Sequence, residues 1–310
     1  MSPFGFNWNL KREGIVVSKL SLQVCQESLK RRGTEVAARV MSFTSGKGGV
    51  GKTHIVSNLA VALAGRGKSV LMLDADLGLA NIDVVLGVQV TLTIHDFLEG
   101  RAELKDIVVS GPAGIDIIPA ASGVDSILQL TQHERAHLLH AIEELAYGYD
   151  YLLIDTPAGI GPEVLSFNGA SQEIVCIVTP EPTSLTDAYA LIKVLSRRFG
   201  ERSINVLVNN VASERMATET FKRFDEVVHQ YLNVELQYLG WIPQDPIVSK
   251  ATRIQRPFYL EYPSEPASKG IEKITSSLED NFIRSRVKGG VQFFFRQLLE
   301  TDINGERQHS

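Results

Sequence analysis

Residues 46–53 read GKGGVGKT and satisfy G-x-x-x-x-G-K-[ST], the pattern of a phosphate-binding loop. Glycines suit this task because, without Cβ atoms, successive backbone N–H groups can converge on phosphate oxygens at the start of a helix. Gly46, Gly48, Gly49, Val50 and Gly51 would supply that backbone. Lys52 would add charge beside the β and γ phosphates of a nucleotide, and the Thr53 hydroxyl would ligate Mg²⁺. Lys47 repeats the charge five positions earlier, and the loop pattern gives it no task. His54 abuts the loop, where a first-turn helix position is expected to be packed or solvated, not catalytic.

Carboxylates end two apolar runs. DYLLIDT (150–156) closes on Asp155, the placement of a Walker-B acid beside a nucleotide-bound metal. LMLDAD (71–76) closes on Asp74 and Asp76, which are two positions apart and so share one face of an extended chain, where both can turn to the phosphates. Capping of the next turn is the competing role for all three.

The elements that must position these groups alternate along the chain. Apolar, β-branched runs at 40–45, 69–76, 114–120, 150–156, 173–179, 204–210 and 236–242 are each followed by a helix-length segment. That order predicts βαβ units and a doubly wound, mostly parallel sheet of about seven to eight strands. The loop then lies between the first strand and a helix that shows Ile55, Leu59 and Ala62 on one face and stops at Gly65 and Gly67. One α/β domain is expected over 39–280, after an extension (1–38) and before a tail (281–310). The stretch PFYLEYPSEP (257–266) reads as a surface loop.

Composition narrows the function. A formal net charge of −5 argues against bare nucleic acid as the main partner. The cysteines, Cys25 and Cys176, are far apart and suggest no zinc or disulfide framework, which fits a reducing cytosol. The N-terminal residues lack a signal peptide's apolar stretch, and no run reaches transmembrane length. C-x-x-C and G-x-S-x-G are absent, which disfavours serine-hydrolase chemistry.

In the tail, Val291, Phe294, Phe295, Leu298 and Leu299 fall at i, i+3, i+4, i+7 and i+8, one apolar stripe beyond the Gly289-Gly290 pair. A core-facing helix, a partner groove or a membrane surface could take such a stripe, and Arg286, Lys288 and Arg296 suit anionic headgroups.

Together KGGVGKT, LMLDADLGLANID, DTPAG, VNN and GWIPQDP resemble the deviant-Walker ATPases of the MinD/ParA family over roughly residues 40–280. TPEPTSLTDAYALIKVL, LGLANIDVVLG and VQFFFRQLL are similar to its FlhG/FleN branch, which regulates flagellar number and placement. The resemblance implies a Mg²⁺-dependent, slow ATPase that works as a switch through an ATP-dependent homodimer. In it Lys47 would reach the partner's phosphates, and Lys52 and Thr53 would serve the chain's own nucleotide. Asp76 would orient the attacking water, with Asp74 a neighbouring switch acid, and Asp155 would hold Mg²⁺ through water. Asn209 would read adenine with Pro243, Gln244 and Asp245 on the other side of the base, and Glu181 would approach the ribose across the dimer. The tail would be a membrane-targeting helix, placing the protein in the cytoplasm and reversibly on the inner membrane face.

The partners so implied are an FlhF-like GTPase, a FleQ-like transcription activator or flagellar switch-complex proteins. The branch's DQAxxLR motif has no match here, since VCQESLKRR (24–32) has the wrong spacing. Two alternatives stand beside this reading: a MinD- or ParA-like spatial regulator of division or DNA segregation, and a nucleotide-gated module that sequesters an activator or GTPase.

Overall fold

Each apolar run of the sequence becomes a strand, and the segments between become the covering helices. The computed structural model describes residues 38–76, 82–120 and 130–281. The chain begins with β1 (Arg39–Thr44), passes through the glycine loop into α1 (Lys52–Gly65), and returns through β2 (Val70–Asp74). Three short helices follow, α2 (Ile82–Leu86), α3 (Ile94–Leu98) and α4 (Leu104–Ile107), then β3 (Val109–Ser110) and β4 (Asp116–Ile118). Next come α5 (Gln132–Ala146), β5 (Tyr151–Asp155), α6 (Pro162–Ala170), β6 (Glu173–Val178), α7 (Pro182–Phe199) and β7 (Ser203–Val211). The remainder is α8 (Glu214–Tyr231), β8 (Glu235–Pro243), α9 (Pro246–Arg253), α10 (Phe258–Glu261) and α11 (Pro266–Asn281).

These strands form an eight-stranded sheet in the order β3-β4-β2-β5-β1-β6-β7-β8. Every pairing is parallel except that of β3 with β4. β1 sits between β5 and β6, where the winding changes direction, so the glycine loop leaves the carboxyl edge at the place where open α/β sheets bind ligands. β1, β2 and β5 are buried along their whole length, which is why they read as continuous apolar runs. β3 was not foreseen, because two residues carry no periodic signal.

Two expectations need correction. α1 is buried on all sides from Ile55 to Leu63, enclosed by the sheet and α11, so it has no single apolar face. Its stop does follow the glycines: Gly67 takes φ +80, and the Gly67 and Lys68 N–H groups donate to Ala64 O and Leu63 O. Residues 257–266 are not simply a surface loop. Phe258 is buried at the start of α10, the Tyr259 N–H donates to Asn58 Oδ1 at 2.8 Å, and Pro266 occupies the first position of α11. Proline marks helix starts here as readily as loops.

At the opposite edge of the sheet, Arg39 donates from Nε to Glu173 and from Nη1 to the Leu278 carbonyl at 2.5 Å, which ties α11 to β1. The extension 1–37 and the tail 282–310, with the candidate membrane residues Val291, Phe294, Phe295, Leu298 and Leu299, lie outside the described residues.

Candidate functional site

Gly49 and Gly51 adopt φ of +79 and +86, the left-handed region that a side chain resists. Gly51 is doubly constrained, because a Cβ there would lie 2.6 Å from Asn209 Nδ2. That amide donates to Val50 O at 2.7 Å, so the end of β7 braces the loop. Gly46 is pressed against α7, where a Cβ would come within 2.2 Å of the Asp187 carbonyl carbon. Beneath the loop, Ser42 donates to Asn168 Oδ1 at 2.8 Å and Asn168 Nδ2 donates to Thr44 Oγ1 at 3.1 Å, fixing β1 to α6.

Lys52 Nζ lies 2.6 Å from Asp155 Oδ1, and Thr53 Oγ1 donates to Asp155 Oδ2 at 2.7 Å. Both charges of the Lys52–Asp155 pair are nearly inaccessible, and a buried charge needs such a partner. The Thr53 hydroxyl and the Asp155 carboxylate converge on one place as hard oxygen donors, the set Mg²⁺ takes together with phosphate oxygens and water. The residues present therefore fit that ion.

Lys47 lies elsewhere. Its Nζ sits 2.9 Å from Glu181 Oε2 and 3.1 Å from Thr183 Oγ1, on the exposed side of the loop. Glu181, expected at a ribose across the dimer, is here the partner of Lys47 in its own chain. The loop's two lysines thus serve two places: Lys52 is buried on Asp155, and Lys47 lies on the exposed side against Glu181.

Asp74 and Asp76 also divide. Asp74 is 2 % exposed; its carboxylate accepts from the Asp76 N–H at 3.1 Å and the Ile82 N–H at 3.4 Å, which ties together the two ends of segment 77–81. That is the capping geometry. Asp74 stands opposite Asp155 in the register of β2 and β5, and Asp76 follows at the strand exit, half-buried.

Residues 47–51, His54, Glu181, Asn209 and Pro243–Asp245 line one open cleft of about 1070 Å³. Gly46, Lys52, Thr53, Asp74, Asp76 and Asp155 do not line it; apart from Gly46 they mark the ends of β2 and β5 and the start of α1. Asp245 accepts from the Ile247 and Ala267 N–H groups, both at 3.1 Å, so its carboxylate caps α9 and meets the start of α11. Burial holds the His54 imidazole below its usual pKa, against an opposing pull from Asp155, and its Nε2 is 3.4 Å from Thr252 Oγ1.

Sequence reasoning missed Thr179, Asn210, Ser249, Thr252 and Arg253 on the cleft wall. A signal existed for the last three. In PIVSKATR, capped by Asp245, positions 249, 252 and 253 share a polar helix face opposite Ile247 and Ala251. Asn210 takes φ +59 at a register shift between β7 and β8, which no spacing announces.

The family model described as ParA, NUBPL iron-transfer P-loop NTPase, matches residues 36–279. Antiactivator FleN of Pseudomonas aeruginosa is 41% identical over 277 residues, covering 89% of this chain and 99% of that protein. The flagellum site-determining protein YlxH of Helicobacter pylori is 33% identical, over 84% of this chain and 90% of that one. The solved septum site-determining protein MinD of Pyrococcus horikoshii, complexed with Mg-ADP, superposes with a TM-score of 0.65 at 29% identity, covering 81% of this chain and all of that one. Cys176 is wholly buried in β6 and its thiol is pushed up to about 12, which makes it a poor ligand for iron.

Proposed function

The chain belongs to the MinD/ParA family of P-loop ATPases, and from that premise we propose that it is an ATP-gated switch regulating the number and placement of flagella. The observation that carries the switch is the separation of the two lysines. Lys52 is held in the loop by Asp155, whereas Lys47 faces outward on a solvent-exposed ion pair that it can exchange for a nucleotide on a second copy. Similarity to FleN and YlxH supports the flagellar role.

In this reading the glycine loop and Lys52 bind the phosphates, Asn209 and Pro243–Asp245 hold the base, and Asp76 orients water in line with the γ phosphate. Lys52 then exchanges Asp155 for phosphate, and Asp155 with Thr53 would hold Mg²⁺, whose charge would offset that of the phosphates. Lys47 of each subunit stabilises charge at the other's nucleotide, much as an arginine finger does. ATP favours the dimer because each subunit adds charge at the other's site, and loss of the γ phosphate removes that term. Partners of the FlhF, FleQ or switch-complex kind would read the dimer. Val291, Phe294, Phe295, Leu298 and Leu299 would bind the inner membrane weakly singly and better in pairs.

Light scattering on the full chain with ADP or ATP tests the switch. A mass near one chain in ADP and two in ATP is expected, with Asp76→Ala locked in the heavier form. If Asp76→Ala forms no more dimer than the unaltered chain in ATP, Asp76 is not the switch acid.

A further inference from the structure

Three cations stand at or behind the cleft: Lys52, Lys47 and Arg253. The first two already carry carboxylate partners, Asp155 at 2.6 Å and Glu181 at 2.9 Å. Arg253 is exposed, and no carboxylate among the described residues pairs with it. Its orientation follows from α9. Ile247 and Ala251 are buried in the core, so Ser249, Thr252 and Arg253, three and four positions apart, turn to the cleft. The contact of Thr252 with His54 at 3.4 Å sets this face over the first turn of α1, where the phosphate loop ends.

A nucleotide polyphosphate approaching a chain of net charge −5 meets long-range repulsion, and two of the three nearby cations are already neutralised by their partners. We propose that Arg253 is the anion-capture residue of the cleft: it draws in the nucleotide's phosphates before Lys52 exchanges Asp155 for them. The inference rests on the nucleotide-binding reading and extends it to a residue on α9. Arg253 also lies in the last turn of α9, where a cation favours the helix dipole whatever binds nearby, so the test must separate capture from helix support.

Stopped-flow binding of a fluorescent N-methylanthraniloyl-ADP with Mg²⁺ to the full chain makes that separation. Capture by a screened charge acts mainly on the association rate. Arg253→Gln is expected to slow association about three- to tenfold at low salt and to flatten its salt dependence. Arg253→Lys should retain most of the rate, and the melting temperature of the nucleotide-free chain should be unchanged in both. An unaltered association rate and salt slope in Arg253→Gln would overturn the proposal, as would a loss of rate that tracks a lowered melting temperature. Failure of the unaltered chain to bind the probe at all would overturn the nucleotide reading with it.

Discussion

Lys52 and Asp155, 103 residues apart in sequence, meet at 2.6 Å where β5 and the start of α1 come together. The pair joins the lysine at the start of α1 to the carboxylate that ends β5. It also gives the loop's two lysines different energetic roles, because the Lys47–Glu181 pair is open to solvent.

Stability of the nucleotide-free chain should therefore respond unequally to the two lysines. Removing one partner of a buried pair costs about 3–5 kcal/mol because the other charge is left uncompensated, so Lys52→Ala should lower the urea midpoint markedly. An exposed pair contributes about 0–1 kcal/mol, so Lys47→Ala should unfold nearly as the unaltered chain does. Equal losses would mean that Lys47 is structural.

Glu181 holds Lys47 in its own chain, and the proposed dimer requires Lys47 to leave. Glu181→Gln should weaken that hold and raise the fraction of dimer at a given ATP and protein concentration, read by light scattering. A lower dimer fraction would instead place the carboxylate's main contribution across the interface, as the family resemblance had it.

His54 gives the nucleotide-free protein a pH dependence of definite sign. Burial lowers its folded-state pKa below the usual 6.5, so below that pH the unfolded chain binds the proton more readily than the folded one. Its contribution to stability is present in full above about pH 6.5 and is lost as pH falls from there through the folded-state pKa. His54→Gln should accordingly flatten the melting-temperature profile below about pH 6.5. A profile as steep as that of the unaltered chain would assign the dependence to other groups.

Much of this architecture was legible because its signals are local. Seven of the eight strands are apolar runs long enough to see, and the glycine loop announces both its conformation and its place between β1 and α1. What escaped was set by packing between distant segments. Nothing near Asn209 tells that its amide braces Val50, and nothing near Asp245 tells that its second oxygen meets Ala267. Asp74 and Asp76 looked equivalent by parity, yet only the fold distinguishes the buried acid that caps from the one at the strand exit. The second lysine was visible as a surplus, and its outward position emerged only with α7 beside it.

The central claim is that Lys47 acts on the nucleotide of another copy, and mixing two inactive variants tests it most directly. Lys47→Ala keeps its own Asp76 but lacks the lysine to donate; Asp76→Ala keeps the lysine but cannot orient water. Steady-state ATP turnover is measured for each alone and for an equimolar mixture. The account predicts little turnover from either variant and clear recovery in the mixture, because the mixed dimer supplies Lys47 to a site with an intact Asp76. Turnover in the mixture no greater than the average of the two alone would contradict it.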